Sequence, residues 1–440
     1  MKEQDLSIIS EWVLLRKKSS GFLGLLGLSS LLLLVLGLTV YYLFTRGVGV
    51  FGINIPVVWG FDITNFVWWI GIGHAGTFIS AFLLLMRQNW RSSINRFAEA
   101  MTLFAVTCAG LFPVLHLGRP QYLYWLLPYP DTMGTWPQWR SPLVWDVFAV
   151  TTYFLVSLLF WYVGLIPDLA VLRDQTTSRL KQFLYGIFAL GWRGSVRHWE
   201  HYQVVYLLLA GLATALVVSV HSVVSLDFTA SIVPGWHSTI FPPYFVAGAI
   251  FSGFAMVLTI AVPLRTYFGF KHLITEAHLD KAAKLILVTG LIVAYSYVME
   301  GFTAWYSNSS FEKFTWVNRA LGPYAPLFWL LLVCNVALPQ FFWSAKCRKN
   351  GAILLSVSLG IQLGMWAERF VIIVTSLHRN VMPSRWGMYY PTVWDWGALL
   401  GSIGLFGFAF LLFLAFIPAI SISEMRKLLS EEKSDANTNK

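Results

Sequence analysis

The chain has 440 residues, of which 57% are hydrophobic and only 12% are charged. Soluble globular domains carry about a quarter charged residues, so this composition excludes an ordinary soluble protein and indicates a membrane protein. The formal charge of +10 does not indicate nucleic-acid binding, because no single face gathers the basic residues.

Ten apolar runs are each long enough, at about 20 residues, to cross a hydrocarbon layer about 30 Å thick as a helix. The first run is too long for a signal peptide and no small-residue cleavage site follows it, so it is predicted to be a retained span. The sequence therefore predicts an all-α, polytopic membrane protein with about ten transmembrane helices. The runs lie near residues 21–45, 63–86, 97–117, 142–166, 201–224, 241–264, 282–306, 321–345, 351–375 and 395–420.

The basic residues predict the orientation of these spans. Lys and Arg accumulate in short loops on the cytoplasmic side of membrane proteins. If residues 1–20 lie inside, 23 of the 31 Lys and Arg residues fall on the inner side. Both termini are therefore predicted to be cytoplasmic.

A short internal repeat predicts how the helices are grouped. SPLVW at 141–145 recurs as APLFW at 325–329, an offset of 184 residues. The offset predicts two related four-helix bundles, formed by spans 2–5 and 6–9, with the first and tenth spans outside them. The predicted boundaries are 1–20 for the cytoplasmic N-terminus, 21–55 for the first helix and outer loop, 56–240 for the first bundle, 241–380 for the second, 381–425 for the tenth helix and 426–440 for the cytoplasmic tail.

GIGHAG at 71–76 matches the letters of a dinucleotide-binding motif. That motif needs a preceding strand, whereas these letters lie inside an apolar span. The small residues are predicted instead to let two helices approach closely. His74, in the same segment, is interpreted as a hydrogen-bonded structural histidine, with a proton-relay or ligand role as the alternative.

The sequence shows no pattern that would bind a redox cofactor. Its three Cys residues form neither a disulfide framework nor a Cys-x-x-Cys set, so no iron–sulfur centre is expected in this chain. A haem would need paired histidines on the helices, but His74, His116, His201 and His221 form no clear pairs at equal depth. Neither haem nor a metal site is predicted.

Ionisable side chains are costly inside a bilayer, so they usually line a cavity or pair with a partner. Glu99 is the one clear acid toward the inner side. For Asp395, at a helix start, solvation at the interface is the favoured interpretation. A polar pocket that opens toward the outer face is predicted from the residues in the outer third or at the outer helix ends: His116, Asp146, His221, Asp227, Glu300, Glu368 and Asp395.

His116 ends the third span and Asp146 begins the fourth. Because the loop 118–141 between them lies outside, both side chains can face one pocket at the same depth. Asp227, just past the fifth span, can reach the same rim, with a solvated loop acid as the alternative. Such a set suits a quinol, because quinol oxidation releases two protons and two electrons, and a His and an Asp can each accept a proton. The electrons must then leave to a partner.

These residues also carry a family resemblance. HLGRP (116–120), SPLVWD (141–146) and the GHAG span resemble the NrfD and PsrC-like integral membrane subunits, which bind quinone without carrying a redox centre. The resemblance covers about residues 10 to 427. Four segments look more narrowly like ActC, a membrane component of bacterial alternative complex III: LGWRGSVRHWEHYQ (190–203), SLDFTASIVPGWHSTIFPPYF (225–245), ERFVIIVTSLHR (368–379) and PTVWDW (391–396).

The resemblance implies a subunit that oxidises menaquinol near the periplasmic face of a bacterial inner membrane, within a quinol:cytochrome c or direct oxidase oxidoreductase. The family's His and two Asp in the quinol pocket fall on His116, Asp146 and Asp227, and Arg119 matches with a less definite role. Electrons would pass to a periplasmic iron–sulfur subunit and on to multihaem and monohaem c-type cytochromes. A second NrfD-like membrane subunit and a terminal oxidase are further implied partners.

Other interpretations stay open. An NrfD-like anchor of a polysulfide-type reductase would have a molybdenum-containing partner, and a dihaem anchor would show haem bands in the spectrum of the isolated chain. An ion or proton transporter would use His74, Glu300 and Glu368 as its path. The same three residues would extend a proton path inward if the quinol-oxidising complex translocates protons.

Overall fold

A computed structural model describes residues 20–126 and 139–427. Within these two ranges all regular secondary structure is helical, and ten helices are long and apolar enough to cross a membrane. The predicted all-α polytopic fold is confirmed. The ten helices are α1 (Ser20–Arg46), α2 (Phe61–Leu85), α3 (Asn95–His116), α4 (Pro142–Gln175), α5 (Val196–Thr229), α6 (Phe241–Tyr267), α7 (Glu276–Tyr306), α8 (Ala325–Trp343), α9 (Gly351–Leu377) and α10 (Val393–Phe416).

The two sides of the molecule differ in charge. The connection between α2 and α3 carries Arg87 and Arg91, and we call this side the basic side and the other the opposite side. α4 and α5 are 34 residues long and extend past their predicted spans on the basic side, because hydropathy marks the apolar part of a helix and not its end. A short amphipathic helix, Arg179–Phe188, connects them and has no buried side chain.

α2 is the central helix of the molecule, with 78% of its apolar window buried. It contacts α3 and α5 on one side and α6 and α9 on another. Helices α2 to α5 form one packed group and α6 to α9 form a second, while α1 packs along α10. This packing agrees with the two four-helix bundles that the repeat predicts.

Glycines allow the central helix to touch its neighbours closely. A Cβ added at Gly76 of α2 would lie 2.0 Å from the backbone oxygen of Ala98 in α3. A Cβ added at Gly253 of α6 would lie 1.7 Å from the Cβ of Ala75 in α2. The interpretation of GIGHAG as a helix-contact segment agrees with this packing.

Replacing Gly253 by Val is therefore expected to destabilise the protein by about 1–3 kcal/mol or more, because the added atoms overlap α2. Heating the detergent-solubilised protein and measuring the monodisperse fraction by size-exclusion chromatography would show the loss. Gly110→Val is the matched control, since no heavy atom of the described chain outside its own helix lies within 4 Å of an added Cβ there. Equal melting of the two variants would contradict the close approach of α2 and α6.

Candidate functional site

Asp62 and His116 meet at the opposite side. Asp62 lies in the first turn of α2 and His116 ends α3. Nδ1 of His116 contacts Oδ2 of Asp62, while Oδ1 accepts the backbone N–H groups of Gly60 at 3.1 Å and Ile63 at 2.8 Å. The Asp62 side chain is 2% exposed and that of His116 is 27% exposed. The buried carboxyl thus fixes one ring nitrogen of His116 and leaves Nε2 for another partner.

Asp146 and Asp227 form a second pair at the same side. Asp146 lies near the start of α4 and Asp227 near the end of α5, and the two carboxyl groups interact. Asp146 is 6% exposed. Within the described ranges, no group is placed to give a regular hydrogen bond to either oxygen of Asp146 or to Oδ1 of Asp227. Buried polar atoms rarely lack a partner, so this pair has the character of a ligand-binding group.

Three aromatic residues that contact one another lie near these acids in the chain. Trp59, which precedes α2, stacks on Trp236 with ring centroids 5.3 Å apart and meets Phe228 edge-on at 5.9 Å. Phe228 and Trp236 contact each other at 5.0 Å. Trp59 is three residues from Asp62, and Phe228 is next to Asp227 in the chain. Short stretches of chain therefore join the aromatic cluster of Trp59, Phe228 and Trp236 to one acid of each pair.

Arg119 follows His116 in an exposed turn. Gly118 between them has a φ of 65°, which favours glycine, and its added Cβ would lie 2.6 Å from the Cβ of Val48. The turn thus places Arg119 at the surface of the opposite side, beside the acid–histidine pair. The rest of the outer loop, at 127–138, lies outside the described ranges.

The structure adds a residue to the predicted site. His116 and Asp146 are predicted to face one pocket, and in the structure the hydrogen bond of His116 is to Asp62 and the carboxyl neighbour of Asp146 is Asp227. Asp62 was missed, because a single acid in the first turn of a helix is typical of a structural cap. The available signal was its position: antiparallel α2 and α3 bring the start of one and the end of the other to the same side.

His74 contacts His221 inside the first bundle. Their Nδ1 atoms are 2.8 Å apart, both side chains are fully buried, and neither Nε2 has a hydrogen-bond partner among the described residues. Tyr153 packs edge-on against the His74 ring at 4.6 Å, and its hydroxyl donates to the His74 backbone oxygen at 3.0 Å. His74 is thus hydrogen-bonded, but its partner is a second titratable ring.

Glu300 and Glu368 lie in the second bundle. Glu300 pairs with Arg319, which lies on the short helix Ser310–Leu321 between α7 and α8. Glu368 accepts a hydrogen bond from the Tyr297 hydroxyl and forms an ion pair with Arg369 at 3.1 Å. Both glutamates border one small cavity of about 20 Å³, so the two predicted residues are neighbours in space.

Arg369 links the two bundles. Its guanidinium group lies over the Phe245 ring of α6 at 4.1 Å, and the Phe245 ring meets the His221 ring of α5 at 5.9 Å. Arg369 also pairs with Glu368, so the Phe245 ring separates the histidine pair from the Glu368 and Glu300 carboxyl groups at the bundle interface.

A larger cavity of about 340 Å³ opens beside Glu300 and Arg319 at the opposite side. Glu312 lines it and accepts the backbone N–H of Gly235 at 2.9 Å. Burial raises the pKa of the Glu312 carboxyl above its ordinary value, although the Gly235 N–H and the Arg319 charge oppose the shift. The cavity gives the second bundle its own access to that side.

Glu99 lies in the first bundle on the basic side, which is the side that the sequence predicts to be the inner one. Its Oε1 accepts hydrogen bonds from Ser80 at 2.5 Å and from the Tyr206 hydroxyl at 3.1 Å. Arg96 lies 3.7 Å from its Oε2 and pairs with Asp168 at 3.0 Å. Ser80 is six residues from His74 along α2, about 9 Å of helix, so polar groups continue from the histidine pair toward the basic side.

Asp395 has a structural role. It is 1% exposed, and Thr392 and Asp395 form a capping box at the start of α10. The Asp395 carboxyl also accepts the Gly52 N–H at 2.9 Å and the Tyr389 hydroxyl at 2.9 Å. The sequence interpretation as an acid solvated at the interface is therefore wrong, because the chain itself supplies the donors. No group of three His, Cys, Asp or Glu side chains within 20–126 and 139–427 is arranged to hold a metal ion.

The fold and the site define a polytopic helical membrane protein with a cluster of acids, a histidine and aromatic rings at one side of the bilayer. The chain belongs to the NrfD family: the family model described as polysulphide reductase, NrfD matches residues 49–380. This finding confirms the family resemblance that the sequence motifs indicate.

Two relatives are similar over most of their length. A protein of Halobacterium salinarum, described as a putative dimethyl sulfoxide reductase membrane subunit, is 25% identical over 82% of this chain and 78% of its own. A protein of Archaeoglobus fulgidus, described as an Hdr-like menaquinol oxidoreductase integral membrane subunit, is 23% identical over 87% of this chain and 91% of its own.

Proposed function

We propose that this chain is the quinol-oxidising membrane subunit of a respiratory oxidoreductase complex, with its site at the opposite side between the Asp62–His116 pair and the Asp146–Asp227 pair. The observation that carries this proposal is the Asp146–Asp227 pair, whose buried oxygens lack regular donors; Phe228 of the aromatic cluster follows Asp227 in the chain. A quinol has hydroxyl donors at both ends of a flat ring, and it matches this combination of acceptors and apolar surface. The description of the Archaeoglobus relative as a menaquinol oxidoreductase subunit supports a menaquinol substrate.

His116 accepts the proton of one hydroxyl. Its Nδ1 is engaged by Asp62, so Nε2 is the nitrogen that takes the proton, and the nearby carboxyl stabilises the imidazolium that forms. Asp62 is thus a positioning residue for His116.

The Asp146–Asp227 pair accepts the proton of the second hydroxyl. Two adjacent carboxyl groups can hold a proton between them, and Asp227 near the end of its helix can release it to the water side. Two electrons leave the quinol in the same reaction and pass to a partner subunit at the opposite side, since we assign no redox centre to this chain.

The narrower proposal is membership of alternative complex III. The basic side then faces the cytoplasm with both termini, and the site faces the periplasm of a bacterial inner membrane. The exposed Arg119 turn borders the surface where an iron–sulfur subunit would dock, with multihaem and monohaem c-type cytochromes, a second NrfD-like subunit and a terminal oxidase beyond it.

A second candidate, favoured by the description of the Halobacterium relative, is the membrane anchor of a molybdenum-containing reductase. Purifying the native complex by a tag on this chain and identifying its subunits separates the two. Pentahaem and monohaem cytochromes support alternative complex III, whereas a molybdenum-containing subunit supports the reductase anchor.

We further propose that His74, Glu368 and Glu300 carry protons across the bundle interface. His74 contacts His221, the Phe245 ring lies between His221 and Arg369, and Arg369 pairs with Glu368. The small cavity then joins Glu368 to Glu300 beside the larger cavity at the opposite side. Alternating titratable groups with short gaps are typical of proton paths in membrane proteins.

Glu368→Gln is expected to lower the number of protons translocated per electron, because the amide keeps the hydrogen-bonding shape but cannot carry the proton. The measurement is proton release during quinol oxidation by the native complex in liposomes. Glu200→Gln is the control, since Glu200 is exposed at the start of α5 on the basic side. An unchanged ratio in Glu368→Gln, His74→Gln and Glu300→Gln alike would rule out this path.

A further inference from the structure

A cavity of about 680 Å³ lies on the basic side. Its walls come from three parts of the chain: the end of α2 with the turn that follows it, the first turns of α5, and residues 423–427 after α10. None of the residues placed in the quinol site or in the path through His74 and Glu368 lines it. This cavity is therefore separate from both of those sites.

The lining of this cavity is strongly basic. Four of the described lining residues are basic, namely Arg87, Arg91, Arg426 and Lys427, and one is acidic, Glu424. Glu424 does not balance this charge, because it is already paired with Arg91 at 2.6 Å and accepts a hydrogen bond from Asn95 at 2.8 Å. Arg87 and Arg426 line the same space, which therefore suits an anion.

Two guanidinium groups have free donors in this region. Arg91 is only 7% exposed, yet its Nη1 has no hydrogen-bond partner within the described ranges, and the same holds for the buried Nε of Arg426. Burial acts to lower the pKa of Arg91, but the charges of Glu424 and Tyr206 and the hydrogen bonds to both together raise it, so the group stays charged. Buried donors normally have an acceptor. Charged donors that line a cavity without one therefore indicate a site at which a bound anion supplies the acceptor.

The cavity also changes from polar to apolar along the membrane normal. Arg87 follows the end of α2, whereas Leu84 lies within that helix; on α5, Trp199 and Tyr202 precede Leu207, which is 50% exposed. Trp199 and Leu207 are eight residues apart, about 12 Å along the helix. Aromatic side chains between charged and aliphatic ones match the order of headgroup, interface and acyl chain in a bilayer.

We propose that this cavity binds an anionic phospholipid, with the phosphate among Arg87, Arg91 and Arg426 and an acyl chain along Leu84 and Leu207. Basic pockets between transmembrane helices suit such headgroups. A free phosphate shares the charged contacts but leaves the apolar end of the cavity without a partner, so the structure favours the lipid. The lipid would tie the segment after α10 to α2 and α5.

The test is native mass spectrometry of the purified full chain in detergent, titrated with phosphatidylglycerol, with phosphatidylcholine and with inorganic phosphate. The wild type is expected to bind phosphatidylglycerol at least 10-fold more tightly than phosphatidylcholine. The double variant Arg87→Gln/Arg426→Gln is expected to lose about 25-fold in affinity, since each basic group near the surface contributes about fivefold. Arg91 is left in place, because its loss would leave Glu424 unpaired.

The matched control is Arg179→Gln/Lys181→Gln, which removes the same charge from the exposed helix Arg179–Phe188 on the same side. It should bind phosphatidylglycerol like the wild type. Equal losses in both double variants would show general surface attraction and overturn the site. Inorganic phosphate binding as tightly as phosphatidylglycerol would overturn the lipid in favour of a free anion, and equal binding of phosphatidylcholine would overturn anion recognition itself.

Discussion

Replacing His116 by Gln is expected to reduce quinol-dependent electron transfer by the native complex at least 100-fold, while the complex still assembles. The amide can hydrogen-bond to Asp62 but cannot take the proton that leaves the quinol, and a positioned base contributes about 10²- to 10⁴-fold. The rate of acceptor reduction by a soluble menaquinol analogue, measured on complex of equal purity, gives the effect directly.

His201→Gln is the matched control, because His201 is exposed near the basic end of α5, far along the helix from Asp227. Its turnover should equal that of the wild type. The turnover of Asp62→Asn should lie between those of His116→Gln and His201→Gln. We expect a loss of about 10-fold or more and an altered pH profile, since the Asp62 carboxyl positions His116 and stabilises its charged form. Full turnover of His116→Gln in an intact complex would refute the assignment of the base.

Replacing either Asp146 or Asp227 by Asn is expected to lower the same rate by about 100-fold or more. The two carboxyl groups form one proton-accepting unit, so removing one acid removes the unit. The double variant should therefore be little worse than either single variant, because groups that act together are not additive. Steady-state rates of the three variants, each purified with the full set of wild-type partners, test this.

Asp174→Asn is the control for this set. Asp174 is an exposed acid on the basic side whose partner is the neighbouring Arg173, and its replacement should leave the rate unchanged. Losses of Asp146→Asn and Asp227→Asn that multiply in the double variant would show two independent roles and contradict a shared unit.

The fold was largely predictable because its main signal is local. An apolar run of about 20 residues identifies a span without any knowledge of its neighbours, and all ten were found. Helix ends were less accurate: α4 continues through Pro167 to Gln175, well past the apolar run, since nothing in hydropathy marks the end of an amphipathic extension.

The contacts within the site were harder to predict than its residues. The position of each residue within its predicted span placed His116, Asp146 and Asp227 at one side of the membrane. It did not reveal which helices are adjacent. That information comes from packing, in which small residues such as Gly76 bring α2 against α3 and so place Asp62 beside His116. For the same reason the partner of His74 was not foreseen: His221 is 147 residues away in the chain.

A structure of the native complex with a bound menaquinol analogue would locate the quinol site. We expect the ring of the analogue at the opposite side, against Trp59 and Phe228, with one oxygen near Nε2 of His116 and the other near Asp146 and Asp227. An analogue bound elsewhere, for example in the cavity beside Glu300 and Arg319, with water alone between His116 and Asp146, would refute this site.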